Sequence, residues 1–386
     1  MTREPAPQRR YDLDWLRIIA FGLLIFYHVG MFYVTWDFHV KSDRSGDTVE
    51  PLMLLVNPWR LELLFFISGV AARFMLDKTT VLRFAGSRFN RLFWPLVFGM
   101  LVIVPPQTYE QLLYNHIDIG VGDFYLKYVT AYPGWVLHGH RLIVPTWNHL
   151  WYVAYLLVYC LILALIWPVL KRLPLGFLER LPAWAYFVGP FAIFWLIRAT
   201  LMARFGETHA LVDDWYVHAN SFFFFLCGVA AARFDRLFEI ARKGRFAFLA
   251  LGLFGYALVM VATKTSWMDG ISDPVWRVFG PSLKAGQAIG MILALIGFAR
   301  QYLSTADGPV RRTLTEAIFP FYIVHQTIII VVAYNLNKLH WPVGLEAATI
   351  IAATAAGCAL TYVIVRRIPL LRPLFGLSFK PKTAAS

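Results

Sequence analysis

Long apolar runs recur along this sequence and constrain its fold more than any other feature. A helix needs about 20 mostly apolar residues to cross about 30 Å of hydrocarbon. Ten segments meet that need, at approximately residues 13–35, 51–76, 92–106, 149–170, 182–202, 219–235, 246–264, 284–303, 314–336 and 345–366. Because lipid offers no hydrogen bonds, each run must satisfy its own backbone, which selects helix. Composition agrees, with 59% hydrophobic and only 15% charged residues, against about 25% charged in a soluble domain. The expected fold is an all-α polytopic integral membrane protein of about ten transmembrane helices. A soluble globule, a disordered chain, a coiled coil and a disulfide scaffold are excluded.

Segments three and six are short, so displacement or a partly re-entrant course is expected there. The first segment is too long for a signal peptide and no small-x-small cleavage site follows it. Residues 1–12 read as an N-terminal tail, 13–366 as the membrane domain and 367–386 as a C-terminal tail. The polar and aromatic stretch at about 107–148 is the one place for a small extramembrane cap. Cys160, Cys227 and Cys358 lie far apart in apolar stretches and read as small buried hydrophobes.

The net charge of +13 is explained by topology. With the N-terminus cytoplasmic, 24 of the 36 Lys and Arg residues fall on the cytoplasmic side and nine on the other. The alternation holds at every loop, so both termini are expected in the cytoplasm. No nucleic acid is needed to explain the charge.

A few ionisable residues are left over, and each is a functional candidate because a charge within a span is costly. Arg17 lies near the cytoplasmic end of span one and His28 in its outer half. Eleven positions bring them back to nearly one helix face, about 16 Å apart along the axis. Span two carries Arg60 and Glu62 in its outer half, span nine carries His325 near its midpoint, and His149 with Trp151 opens span four. Three histidines, an arginine and a carboxylate suit general acid–base chemistry, or equally the proton relay of a secondary transporter. A metal site is not expected, since no pair has helical ligand spacing. His138-Gly139-His140 reads as a solvated turn, and Arg198 is expected to snorkel to the outer interface. The cytoplasmic Arg83, Arg88 and Arg91 fit either phosphate binding through guanidinium forks or ordinary topology. Ser68-Gly69-Val70-Ala71-Ala72-Arg73-Phe74 echoes the run from Cys227 to Phe234, which reads as small-residue helix packing.

Five short motifs in order resemble those of the membrane-bound acyltransferase-3 family. They are Leu13-Asp14-Trp15-Leu16-Arg17 with His28, Phe65-Phe66-Ile67-Ser68-Gly69, Arg88-Phe89-Asn90-Arg91, His149-Leu150-Trp151-Tyr152 and Phe321-Tyr322-Ile323-Val324-His325. Trp36-Asp37-Phe38-His39-Val40-Lys41-Ser42, Trp59-Arg60-Leu61-Glu62 and Ile368-Pro369-Leu370-Leu371 are similar to a branch that succinylates osmoregulated periplasmic glucans. Ala317 departs from the family, which often has Ser there.

The resemblance implies transfer of an acyl group, succinyl or acetyl, from cytoplasmic acyl-CoA to a glycan hydroxyl across a bacterial inner membrane. Acyl-CoA would be a co-substrate, with no resident cofactor. His28 would be general base or transient acyl carrier, oriented by His325 or Glu62. Arg17, Arg88 and Arg91, with Ser68 and Gly69, would bind acyl-CoA. Arg60, His149, Trp151 and His39 would serve the acyl group or the acceptor. A proton-coupled transporter using the same buried groups is the alternative.

Overall fold

The computed structural model describes residues 9–266 and 271–379. Arg3, Lys380 and Lys382, counted above with the tails, lie outside the described residues. In chain order the helices are α1 (Tyr11–Tyr33), α2 (Glu50–Val56), α3 (Arg60–Leu76), α4 (Val81–Phe98), α5 (Pro105–Tyr114) and α6 (Val121–Val129). Strands β1 (Val136–Leu137) and β2 (His140–Arg141) follow. Then come α7 (Trp151–Leu170), α8 (Ala185–Ile197), α9 (Ala203–Phe205), α10 (Trp215–Ala231), α11 (Arg236–Lys264), α12 (Asp273–Tyr302), α13 (Pro309–Asn337), α14 (Val343–Arg367) and α15 (Leu371–Leu374).

Among the described residues, nine helical stretches are long and apolar enough to cross a membrane. The protein is thus an all-α polytopic membrane protein. The sixth expected span is α10, which at 17 residues falls short of that length. The third is longer than hydropathy alone indicates, running over Val81–Tyr114, because its polar ends dilute the apolar signal. All three cysteines are free.

The chain divides into two compact units. The first comprises Met1–Ala20, Leu54–Thr80 and Ile166–Thr315, the second Phe21–Met53, Val81–Leu165 and Glu316–Ser386. In the first unit α11 packs along α12, and α3 along α10. The α3–α10 crossing falls on the echoed sequence. A Cβ at Gly69 would sit 1.9 Å from the Phe225 carbonyl oxygen, and one at Gly228 would sit 2.0 Å from that of Phe66. The two backbones meet where neither has a side chain, the usual means of close approach between membrane helices. At the end holding the first residues of α1, Asp14 accepts from Arg311 at 2.6 Å, Arg9 at 3.0 Å and Arg17 at 3.3 Å. Arg311 also bonds Asp307 at 2.6 Å and is only 2% exposed.

In the second unit, Val29, Phe32 and Tyr33 of α1 pack with Ile329, Ile330 and Ala333 of α13 and Ile350 of α14. The expected cap between the third and fourth spans has its own core of Leu112, Phe124, Tyr128, Trp135, Leu137 and Val144. In its antiparallel hairpin Val136 faces Arg141 and Leu137 faces His140. His138 and Gly139 form the turn with φ of +49° and +80°, the sign that suits a two-residue hairpin. Both are exposed, as expected of a solvated turn.

Between α4 and α5 the chain widens into a π-helical turn over Gly99–Ile103. Pro105 and Pro106 have no N–H, so carbonyls one turn earlier lose their helical donors. Side chains replace them. Tyr125 donates to the Leu101 carbonyl at 2.8 Å, Tyr128 to that of Met100 at 2.9 Å and Thr327 to that of Ile103 at 2.7 Å. These three bonds satisfy carbonyls at the interruption before α5.

Candidate active site

The second unit gathers the three membrane histidines. α1 supplies His28, α13 supplies His325, and the 3-10 turn Asn148–Leu150 before α7 supplies His149. His28 Nδ1 lies 2.9 Å from His325 Nε2, and the ring centroids are 5.0 Å apart. The His149 ring stands edge-on to His325 at 5.1 Å. His325 is 1% exposed and His149 6%, whereas His28 is half-buried. Of the three, His28 is the most exposed.

The protons follow from the partners. His325 Nδ1 lies 2.7 Å from the Tyr322 carbonyl oxygen, which can only accept, so that nitrogen carries the hydrogen. In the neutral ring Nε2 is then an acceptor, and His28 must donate to it from Nδ1. His28 Nε2 is left as the basic nitrogen. A backbone carbonyl one turn away thus sets which atom of His28 takes a proton.

His149 is fixed likewise. Its Nε2 donates to the Ile323 carbonyl at 3.0 Å, and its Nδ1 accepts from Gln107 Nε2 at 3.2 Å. Gln107 Oε1 accepts from Asn148 and from Gln326, each at 3.1 Å. Gln107 Nε2 also donates to Thr327 at 2.7 Å, and the Tyr322 hydroxyl donates to the His149 carbonyl. Gln107, Gln326, Thr327 and Tyr322 were not singled out as site residues. They carry no charge, but amides inside apolar runs are a signal of their own, and Gln326 directly follows His325.

Phe38, in the loop after α1, stacks on His28 with centroids 6.4 Å apart and planes 11° apart, and His39 stacks on Phe38 at 5.4 Å. Burial pushes the His39 imidazole down to about 4, opposed by a hydrogen bond with Gln111. Lys41 holds this loop against the end of α1 by donating to the carbonyls of Met31 at 2.6 Å and Trp36 at 2.9 Å. Burial lowers the Lys41 ammonium to about 8, opposed by Asp37. Trp151 stands edge-on to Tyr155 at 5.3 Å. On α4, Arg88 is half-buried with its guanidinium 5.6 Å from the Phe84 ring, and Arg91 is exposed one turn later.

The first unit holds the other candidates. Arg17 is half-buried and bonds Asp14. Gly69 lies in the α3–α10 crossing, a packing role sufficient in itself, and Ser68 precedes it. Arg60 is buried and donates to Asn57 Oδ1 at 3.1 Å. Glu62 accepts from Asn220 at 2.9 Å, and His28 lies against His325 at 2.9 Å. Arg198 does not snorkel. It is 8% exposed, bonds the Tyr216 hydroxyl and lies 5.5 Å from the rings of both Phe194 and Tyr216. Those partners make an inward course better than a reach to the interface.

A profile of an acyltransferase domain, Acyl_transf_3, matches residues 10–366. No curated protein and no solved structure matches the chain.

Proposed function

Since the chain belongs to the membrane acyltransferase-3 family, we propose that it moves an acyl group from cytoplasmic acyl-CoA to a hydroxyl of an extracytoplasmic glycan, with His28 as the base. The observation that carries this reading is the His28–His325 pair, which leaves the Nε2 lone pair of the more accessible ring as the basic site. His28 Nε2 takes the proton of the acceptor hydroxyl while its oxygen attacks the thioester carbonyl. The carbon–sulfur bond breaks, and the CoA thiolate leaves and recovers the proton. A positioned imidazole is worth about 10²–10⁴ in rate.

Arg17 shares α1 with His28, and eleven residues of helix rise by about 16 Å, a length similar to an extended pantetheine arm. Arg17, Arg88 and Arg91 engage phosphates of acyl-CoA at the cytoplasmic face, where guanidinium forks suit them. His149, Trp151 and His39 belong to the acyl and acceptor region. The donor is succinyl-CoA, the acceptor an osmoregulated periplasmic glucan and the setting a bacterial inner membrane. This finer assignment rests on the motifs around residues 36–42, 59–62 and 368–371.

The test supplies labelled succinyl-CoA or acetyl-CoA to the purified protein with a glucan. Label in the glycan is expected, greater from succinyl-CoA. Absence of label with either donor overturns the reading, and preference for acetyl-CoA overturns the finer one.

A further inference from the structure

The first unit holds a second concentration of buried polar groups that helix packing does not require. Arg60 and Glu62 stand at the N-terminal end of α3, Arg198 directly after α8, Tyr216 and Asn220 in the first turns of α10, and Lys284 in the first half of α12. By chain direction these positions share the end of the helices expected to face away from the cytoplasm. Arg60, Arg198, Tyr216 and Asn220 are all buried. The loop between α9 and α10 adds Glu207, His209 and the fully buried Asp214, whose carboxylate accepts from the His209 amide at 2.9 Å. Arg198 and Glu207 both act electrostatically on Glu62 and on Lys284, and Arg60 acts on His209.

The hydrogen bonding inside this cluster is incomplete. Glu62 Oε1 accepts from Asn220 Nδ2. A carboxylate only accepts, so the amide turns its NH2 toward Glu62 and its Oδ1 away. Among the described residues Asn220 Oδ1 and Arg198 Nε are buried with no hydrogen-bond partner, and Glu62 Oε2 has none beyond its own amide. Each such group costs about 1–3 kcal/mol if nothing meets it.

The unmet groups select a ligand. A carboxylate or phosphate would pair with Arg198 but would face the carboxyl groups of Glu62 and Glu207 and leave the acceptors Asn220 Oδ1 and Glu62 Oε2 unmet. A hydroxyl both donates and accepts, and so suits both kinds of unmet atom. Formal charge points the same way: the three cations Arg60, Arg198 and Lys284 are accompanied by the three carboxyl groups of Glu62, Glu207 and Asp214. Burial holds the His209 imidazole below its usual range, chiefly against the pull of Glu207, so it adds no charge at neutral pH.

We propose that this cluster binds uncharged sugar hydroxyls, with Glu62 and Asn220 accepting from them and Arg198 donating to them. The proposal rests on the reading of a glycan as the acyl acceptor and adds a binding site for its hydroxyls within the first unit.

The experiment titrates a neutral β-linked gluco-oligosaccharide into the full-length protein in lipid nanodiscs by calorimetry. Wild type should bind, and Asn220→Ala and Arg198→Gln should each bind roughly tenfold more weakly. Excess succinate should leave wild-type binding unchanged, a measurement that needs no variant to fold. No binding by wild type, equal binding by the variants, or displacement by succinate would each overturn the proposal. Binding that behaves as stated without any acyl transfer would sink the proposed reaction and leave the site standing. Acyl transfer with an unchanged KM for glucan in both variants would do the reverse.

Discussion

His325 accepts from His28 Nδ1 at 2.9 Å through its Nε2, because the Tyr322 carbonyl holds the proton on its other nitrogen. In the proposed reaction His325 acts as a positioning residue. His28→Ala should reduce acyl transfer by at least about 10²-fold. His325→Phe should lower kcat on the order of 10²-fold, with KM for acyl-CoA unchanged. A KM change without a kcat change, read with labelled acyl-CoA, would remove His325 from the orientation of His28.

Arg17 is held by an Asp14 carboxylate that also serves Arg9 and Arg311, so it is presented in place. Charge-assisted hydrogen bonds are worth about 1.5–3 kcal/mol. Arg17→Ala and Arg91→Ala should each raise KM for acyl-CoA by roughly ten- to a hundredfold, with Arg17→Lys recovering part. Unchanged KM values would reduce both residues to topology signals.

The Gly69–Gly228 crossing allows no Cβ, because the atoms it would strike are backbone carbonyls. Gly69→Ala and Gly228→Ala should each cost about 1–3 kcal/mol, read as a lowered unfolding temperature in nanodiscs. Gly22→Ala, whose Cβ meets nothing within 4 Å, should be neutral. If Gly69→Ala keeps its stability and loses acyl-CoA affinity, Gly69 is a ligand residue after all.

Burial lowers His39 to about 4, below the roughly 6.5 of an unfolded chain. The unfolded state then binds the proton more readily, so the stability contributed by neutral His39 is full above about pH 6.5 and is lost as pH falls toward 4. His39→Gln should flatten the stability profile in that window while leaving neutral pH little changed. An identical acid limb in both proteins would show that His39 is not the group responsible.

The helices were legible because about twenty apolar residues in a row admit one structure in lipid. α10 marks the limit, since hydropathy finds a segment there without fixing its length. The Gly69 and Gly228 repeats were also legible as packing, although their reciprocal fit is a tertiary fact. Of the site, His28, His149 and His325 stood out as titratable groups in apolar runs, but their proton order depends on the carbonyls of Tyr322 and Ile323, which every residue possesses. Arg198 was misread because a cation near a span end ordinarily finds water, and nothing local announces Tyr216 eighteen positions later.

The widened turn at Gly99–Ile103 does more than interrupt a helix. A π turn carries one residue beyond α-helical register, and one residue is about 100° of rotation, so everything from Pro105 onward is reclocked. Gln107 meets His149 and Thr327 on that reclocked face, and the cap's Tyr125 and Tyr128 clamp the turn that sets the phase. The orientation of His149 is therefore written partly in two tyrosines of the separate helix α6, and a single-residue deletion between Gly99 and Ile103 would unmake the polar network while every residue in it remained.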